Sequence, residues 1–261
     1  MILGIKKWSG LALTSLLFAC VAVAGEMPFP PIENGKVKLV VADSPYLLEQ
    51  GAVFSAKDTL EIEPGVTVLM GEYAKLMFRG SVKIIGTDAA PVVFKSADSV
   101  KSWNGVHFVS ANRPFEIKNL IIENAFRNTV FRSKGIFENV KFVNNYYGLW
   151  IDDVPEVFLA RCEFVRNRFA LSIRAGQVVS ADTKINDNVY GLYLEPGGKF
   201  DGDKSLIKDN LEADVRNEAE ELAAQGKRVN RNIWHRIETA FLEVDLSARS
   251  FSQVHTQDDG Q

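Results

Sequence analysis

One pattern occurs three times in the second half of the chain: KFVNNYYGLWID at 141–152, EFVRNRFALSIR at 163–174 and KINDNVYGLYLE at 184–195. Each copy has an apolar residue three positions before an asparagine and an aromatic residue two positions after it. A small residue and then Leu-x-Ile or Leu-x-Leu follow. Self-similarity at a fixed spacing is typical of a repeat protein.

An asparagine column extends this pattern in both directions with a period of 21 or 22 residues. Its members are Asn124, Asn145, Asn167, Asn188 and Asn210. Apolar and polar residues alternate within each copy, which is typical of β-strands. Because asparagine suits tight turns and its amide can bridge stacked neighbours, we predict a structural ladder for these residues and no ligand role. The aromatic column of Phe126, Tyr147, Phe169 and Tyr190 is predicted to stack.

A repeat of this length built from short strands predicts one rung of a parallel β-helix. Leu60, Ile62, Val66 and Val68 show the same alternation around a Pro-Gly turn in the first half. The predicted solenoid covers 38–217 and holds about eight rungs, stacked at roughly 4.8 Å. A leucine-rich repeat has a similar period, but its dense L-x-x-L-x-L consensus is missing from this sequence.

The segments SPYLL (44–48), PVVFKS (91–96) and WNGVHF (103–108) together resemble secreted bacterial proteins of the right-handed parallel β-helix class. The N-x-Y-G-L units resemble the parallel β-helix repeats of the pectate-lyase-like superfamily, over about residues 44–217. The resemblance implies an all-β, right-handed solenoid. It implies no single activity, because this fold carries lyases, hydrolases, adhesins and binding modules.

The first 24 residues have the features of a signal peptide: Lys6 and Lys7, an apolar run from 11 to 23, and Ala-Val-Ala at 22–24. An alternative is a lipobox at LFAC (17–20), with a lipid anchor on Cys20. Both predict an exported protein, periplasmic or extracellular. The run is shorter than the ~20 residues of a transmembrane helix, so no membrane span is predicted. Residues 25–37 are predicted to be a linker.

After Asn217 the composition becomes helical, and a cap over the last rung is predicted for 218–246 because open solenoid ends must be covered. A first helix begins after Asn217. A second, from about 229 to 244, places one apolar stripe on a single face: Ile233, Ile237, Ala240, Phe241 and Val244. The alternative is a docking site for a protein partner, with Trp234 and Phe241 exposed. Residues 247–261 are predicted to be a disordered tail.

Composition excludes several classes of function. Thirty basic and 33 acidic residues give a net charge of −3, without the basic patch that nucleic-acid binding requires. The histidines at 107, 235 and 255 are scattered, so no metal site or cofactor is predicted. Calcium prefers about six to eight oxygen ligands, and Asp201 and Asp203 are interpreted as a loop insertion. Cys162 is predicted to be a buried, inert thiol.

The outward positions of the repeated strands carry the candidate site. Trp150, Ser172 and Tyr193 alternate with inward residues and are predicted to face solvent. Two positions further on, a column of alternating charge is predicted to form ion pairs: Asp152, Arg174 and Glu195. Since aromatic rings stack on sugar faces, the sequence predicts a non-catalytic envelope protein that binds polysaccharide or another extended ligand at Trp150 and Tyr193.

Two alternatives remain open. One is a polysaccharide lyase or glycoside hydrolase using Asp152, Asp153, Arg174 and Glu195, which predicts perturbed carboxyl pKa values in a groove. The resemblance to polygalacturonase-like relatives rests on the acid doublet alone, since their further aspartate, glycine-flanked histidine and R-x-K site have no match. Adjacent residues in a strand also point to opposite faces. The other alternative is an interaction scaffold with its partner at the C-terminal helices.

Overall fold

Short parallel strands and sharp corners alternate along the chain. The computed structural model describes residues 25–80, 82–111 and 113–227. These residues form an all-β parallel solenoid of about nine rungs, so the predicted fold class is confirmed. Within the described ranges the strands are β1 (Met27–Pro28), β2 (Lys36–Leu39), β3 (Tyr46–Leu48), β4 (Ala52–Phe54), β5 (Thr59–Ile62), β6 (Thr67–Met70), β7 (Lys75–Phe78), β8 (Lys83–Ile85), β9 (Val92–Ser96), β10 (Gly105–Val109), β11 (Phe115–Lys118), β12 (Leu120–Glu123), β13 (Arg127–Phe131), β14 (Gly135–Glu138), β15 (Lys141–Val143), β16 (Tyr147–Asp152), β17 (Val154–Ala160), β18 (Glu163–Val165), β19 (Phe169–Ala181), β20 (Lys184–Asn186), β21 (Tyr190–Asp201) and β22 (Ala213–Asn217). One α-helix, α1 (Glu218–Ala224), follows, and 3₁₀ turns lie at Val41–Asp43 and Lys204–Leu206.

The strands stack into three walls, apart from β2 and β5, which form a separate two-stranded sheet. Wall 1 consists of β1, β3, β6, β9, β12, β15, β18 and β20. Wall 2 consists of β4, β7, β10, β13, β16, the first parts of β19 and β21, and β22. Wall 3 consists of β8, β11, β14, β17 and the second parts of β19 and β21. Because β19 and β21 bend across a corner, they join walls 2 and 3 into one sheet.

Residues in the left-handed region of backbone space form the corners. Between walls 1 and 2, one column has φ between 53° and 61°: Asn124, Asn144, Arg166, Asp187 and Asp209. Between walls 3 and 1, a second column has φ between 50° and 53°: Asn119, Asn139, Arg161 and Asp182. Left-handed residues are costly for most side chains but tolerable for Asn and Asp, which explains the polar residues that recur at these positions.

The apolar side chains that alternate along each strand fill the space between the walls. Phe54, Phe78 and Phe108 stack on one another from rung to rung, with ring centroids 5.1 and 5.6 Å apart. Phe142 and Phe164 repeat this arrangement at 4.6 Å. Each stacked ring pair contributes roughly 0.5–1.5 kcal/mol of stability in addition to the hydrophobic gain from burying the rings. The aromatic stacks therefore stabilise the contact between neighbouring rungs as well as filling the core.

The ends of the solenoid differ from the predicted boundaries. Residues 25–37 were predicted to be a linker, but they contain β1 and the start of β2, which pair with β3 and β5. The last strand, β22, ends at Asn217, and the side chain of Asn217 accepts a hydrogen bond from the Glu220 amide at 3.4 Å as the N-cap of α1. The remainder of the predicted cap and the predicted tail, like residues 1–24, lie outside the described residues. In the described part of the chain, no helix has the length and apolar character needed to cross a membrane.

Candidate functional site

The asparagine ladder runs up the corner between walls 1 and 2. Each side-chain Nδ2 donates to the Oδ1 of the next asparagine at 2.9 Å, from Asn145 to Asn167, Asn188 and Asn210. Asn124 lies outside this ladder, where Ala125 takes the equivalent place and donates its backbone amide to Asn145. Asn124 belongs to the neighbouring left-handed column, 20 residues before Asn144. Because every amide of the ladder is occupied by its neighbours, the ladder is structural.

The aromatic column lies beside this ladder. Tyr147, Phe169 and Tyr190 form a stack with centroids 5.0 Å apart at both steps and rings within 15° of parallel. Phe126 meets Tyr147 edge-on at 6.2 Å. All four rings are partly exposed, so the stack both stabilises the corner and presents ring edges at the surface.

Trp150 lies on the outer side of wall 2, as its register predicts, but it is not exposed. Trp150 pairs in register with Thr129 and Ser172, and its side chain is only 4% exposed. Ser172 is also buried, whereas Tyr193 at the end of the column is half-buried. The expectation that Trp150 and Ser172 face solvent is therefore wrong. Trp150 belongs instead to a second apolar cluster, separate from the core, with Met77, Val109 and Phe131.

The charged column forms as predicted and is largely buried. Arg174 lies between two carboxylates, with Nη1 3.8 Å from Asp152 Oδ2 and Nε 3.6 Å from Glu195 Oε2. Burial raises the pKa of Glu195 to about 7, against the opposing effect of Arg174. Both distances exceed that of a good charge-assisted hydrogen bond, which explains why desolvation outweighs the attraction. Asp152 is 1% exposed and Arg174 8%.

Asp153 is separated from this column by the backbone. It lies at the corner between walls 2 and 3 with φ 49°, and its carboxylate is exposed and bonded to Arg132 at 2.7 Å. Asp152, by contrast, projects from wall 2. The acid doublet therefore does not form a pair of carboxyl groups facing one substrate, as the alternation of strand side chains implies.

A buried basic group next to this column was missed in the sequence. His107 is 3% exposed, and its pKa is lowered to about 3 by burial and by the charges of Arg127 and Lys75. The Arg127 guanidinium lies over the Trp150 ring at 4.9 Å. Lys75 is also buried. These residues lie on earlier rungs. The sequence spacing of those rungs is irregular, so it does not predict that the three residues share one wall.

A groove follows the corner between walls 1 and 2 and is open to solvent. Its volume is about 870 Å³, and it extends over four rungs, or roughly 14 Å. We call it the corner groove; it is lined by Asn144, Asn145, Tyr146, Arg166, Asn167, Arg168, Asp187, Asn188, Val189, Tyr190, Asp209, Asn210, Leu211 and Glu212. The Arg168 guanidinium lies 5.2 Å from the Tyr146 ring centroid. In the sequence, the polar residue that precedes each ladder asparagine indicates that this corner faces outward.

Candidate ligands for a cation are dispersed. Among the described residues, no three side chains of His, Cys, Asp or Glu group in a way that suits a metal ion. Asp203 instead caps the 3₁₀ turn at Lys204–Leu206, accepting a hydrogen bond from the Ser205 amide at 2.9 Å. Cys162 is buried, and desolvation raises its pKa to about 12, so the thiol is inert. His235 and His255 lie outside the described residues.

Comparison with protein-family models, with curated proteins and with solved structures finds no match for this chain. The described residues show the parallel solenoid, the corner groove and the largely buried charged column of wall 2.

Proposed function

We propose that the protein is an exported, non-catalytic member of the pectate-lyase-like superfamily that binds polysaccharide. The open corner groove carries the proposal. Ligand sites are concave and combine apolar or aromatic surface with a few polar groups, and the corner groove has this composition. The sequence predicts the ligand at Trp150 and Tyr193, but Trp150 is only 4% exposed and offers no ring face to a sugar.

The groove carries two arginines beside Asp187, Asp209 and Glu212, and this mixed charge suits a glycan chain rich in hydroxyl groups. Tyr146 and Tyr190 present ring surface, while Arg166 and Arg168 are exposed and can donate paired hydrogen bonds to carboxylates or hydroxyls. The rungs repeat every ~4.8 Å, so equivalent groups recur along the groove and match a polymer better than a single small molecule. This repetition supports an extended ligand.

A polysaccharide pull-down and a glycan array with residues 25–261 test the proposal. The groove variant Arg166→Asn/Arg168→Ala should bind at least about tenfold more weakly, a loss of about 1.4 kcal/mol. Asparagine tolerates the left-handed backbone at position 166, so the substitution changes charge and leaves the corner intact. The matched control is Arg161→Asn/Arg113→Ala, which removes two exposed arginines elsewhere, one of them also left-handed.

A second variant separates the corner groove from wall 2. If Tyr193→Ala abolishes binding while the arginine variant does not, the ligand lies on wall 2 and the groove proposal fails. Binding that is equal in all variants, or absent from the unaltered protein, also contradicts it. Loss of binding in the arginine variant alone supports it.

The second candidate function is a polysaccharide lyase or hydrolase. The raised pKa of Glu195 beside Arg174 favours it, because a carboxyl group that titrates near 7 suits acid–base chemistry. Its difficulty is access, since Asp152 and Arg174 are buried. Assays for new reducing ends and for unsaturated sugar, run on the same samples, decide between the two. Product that disappears in Glu195→Gln would replace the binding proposal with the enzyme.

A further inference from the structure

The column of stacked rings beside the ladder ends inside the corner groove. Phe169 lies between Tyr147 and Tyr190, so both faces of its ring are covered. Tyr190 meets Phe169 at 5.0 Å with the two rings 10° from parallel, which uses one face of Tyr190. Ala213 pairs with Tyr190 in the following rung and carries no ring. Within the described ranges, Tyr190 therefore has no aromatic partner on its second face.

The other tyrosine of the groove is less available to a ligand. The Arg168 guanidinium lies 5.2 Å from the centroid of the Tyr146 ring, and the Phe126 ring is tilted by 34° to it at the same distance. Tyr190 lines the groove and is partly exposed. Aromatic rings with a few polar groups around them are typical of ligand sites, so Tyr190 is the ring best placed to meet the apolar face of a sugar.

The charge of the lining changes along the groove. Arg166 and Arg168 lie on one rung. Acidic residues line the two rungs that follow, at the Tyr190 end: Asp187, Asp209 and Glu212. Asp209 and Glu212 form no ion pair within the described part of the chain, so their carboxylates can accept hydrogen bonds from hydroxyl groups. A uronic acid placed on Tyr190 would instead meet charges of its own sign, which weakens binding.

We propose that Tyr190 is the sugar-binding platform of the corner groove and that the ligand is a neutral, β-(1→4)-linked hexose chain. The assignment rests on the glycan binding proposed for this groove, and it adds the class of sugar. A chain of this linkage is extended and flat, so it can follow a straight groove over four rungs and lay one ring face on Tyr190. Its hydroxyl groups then lie at the ring edges, where Asp209 and Glu212 can bind them.

Titration calorimetry with soluble hexasaccharides tests the proposal. Cellohexaose and mannohexaose are neutral β-(1→4)-linked chains, whereas hexagalacturonate has the same length and a carboxylate on every sugar. The unaltered protein should bind one of the neutral chains at least about tenfold more tightly than hexagalacturonate.

Ring variants test the platform itself. Tyr190→Leu keeps an apolar side chain but removes the ring face, and it should weaken binding of the neutral chain about tenfold. Tyr190→Phe keeps the ring and should bind as the unaltered protein does. The matched control is Phe169→Leu, because it removes a ring of the same stack whose faces are both covered. Equal losses in Phe169→Leu and Tyr190→Leu would overturn the proposal, since they would assign the effect to the stack and not to a contact with the sugar.

A charge variant tests the discrimination against uronic acids. Asp209→Asn/Glu212→Gln should improve binding of hexagalacturonate about tenfold, and asparagine tolerates the left-handed backbone at position 209. The control Asp182→Asn/Glu61→Gln removes two exposed acids elsewhere, one of them also left-handed, and should leave it unchanged. If the pull-down retains a polysaccharide but neither neutral hexasaccharide binds, this proposal alone is overturned. A pull-down that retains nothing would overturn the proposed function together with it.

Discussion

The side-chain amide of Asn145 and the side-chain oxygen of Asn167 are 2.9 Å apart, one rung from each other, at the corner between walls 1 and 2. Both residues are at most 3% exposed. Asn167 also accepts the backbone amide of Asn145 at 2.9 Å and donates to the carbonyl of Phe142 at 2.9 Å. One side chain thus satisfies buried groups on its own rung and on the rung before it, which links the two rungs directly.

Removal of this link should be strongly destabilising. Asn167→Ala leaves two donors of Asn145 and the carbonyl of Phe142 without their partner, so we expect a loss of about 3 kcal/mol or more in unfolding free energy. Urea unfolding followed by circular dichroism measures it. Asn186→Ala, in a strand on the next rung, should cost less than about 0.5 kcal/mol. Equal losses for the two substitutions would show that the ladder carries no special weight.

The aromatic stack gives a second prediction. Phe169 contacts Tyr147 and Tyr190 at 5.0 Å on either side, so Phe169→Ala breaks two stacked ring pairs. We expect a loss of about 2 kcal/mol from the two stacking contacts and the exposed ring faces. Phe158→Ala removes the same side chain from a position that is 44% exposed and should cost less than about 1 kcal/mol. A shift of the urea midpoint that is no larger for Phe169 than for Phe158 would contradict this.

The sequence was sufficient for the fold because the repeat encodes side-chain direction. Leu149 and Ile151 point inward and Trp150 outward, as period 2 requires. Direction does not determine accessibility, however. Trp150 and Phe158 are both outward aromatics, yet they are 4% and 44% exposed. That difference depends on contacts distant along the chain, which no local pattern records.

The candidate site was predictable only in part for the same reason. The charges of Asp152, Arg174 and Glu195 lie at equal offsets from three asparagines, so their column could be read from the register. His107 and Arg127 precede the regular rungs. Gly105, two residues before His107 in β10, has φ 121°, and a Cβ there would lie 2.0 Å from the Arg127 carbonyl, where the register of β13 also shifts. In an irregular rung of this kind the residue spacing departs from the repeat, so the strand register cannot be predicted from the sequence.

His107 should make the protein sensitive to acid. Its folded pKa of about 3 lies below the usual 6.5, so the unfolded chain binds more protons between these values and stability falls as pH decreases through this window. In the described part of the chain both ring nitrogens lack a hydrogen-bond partner. His107→Leu should therefore raise stability by about 1 kcal/mol at pH 7 and flatten the acid side of the stability curve.

Thermal unfolding from pH 3 to 8 measures both effects of the His107 substitution. Thr129→Val is the comparison, because it replaces another buried polar side chain of the same column with an apolar one and carries no titrating group. It should leave the slope of stability against pH unchanged. If His107→Leu unfolds at the same acid pH as the unaltered protein, the histidine is not the group that titrates.

Glu195 should act in the opposite direction. Its folded pKa of about 7 lies above the usual 4.5, so the folded state binds more protons than the unfolded chain between these values. Stability should fall as pH rises from about 4.5 to 7, by up to about 3 kcal/mol. Glu195→Gln keeps the shape of the neutral acid and should remove this slope, leaving the variant more stable than the unaltered protein at pH 8 but not at pH 4.

Glu116→Gln is the contrasting control, since hydrogen bonds with Lys83 and Lys118 lower the pKa of Glu116, and its contribution to stability is lost as pH falls. A Glu195→Gln curve parallel to that of the unaltered protein would mean that Arg174 neutralises the carboxylate in spite of its burial.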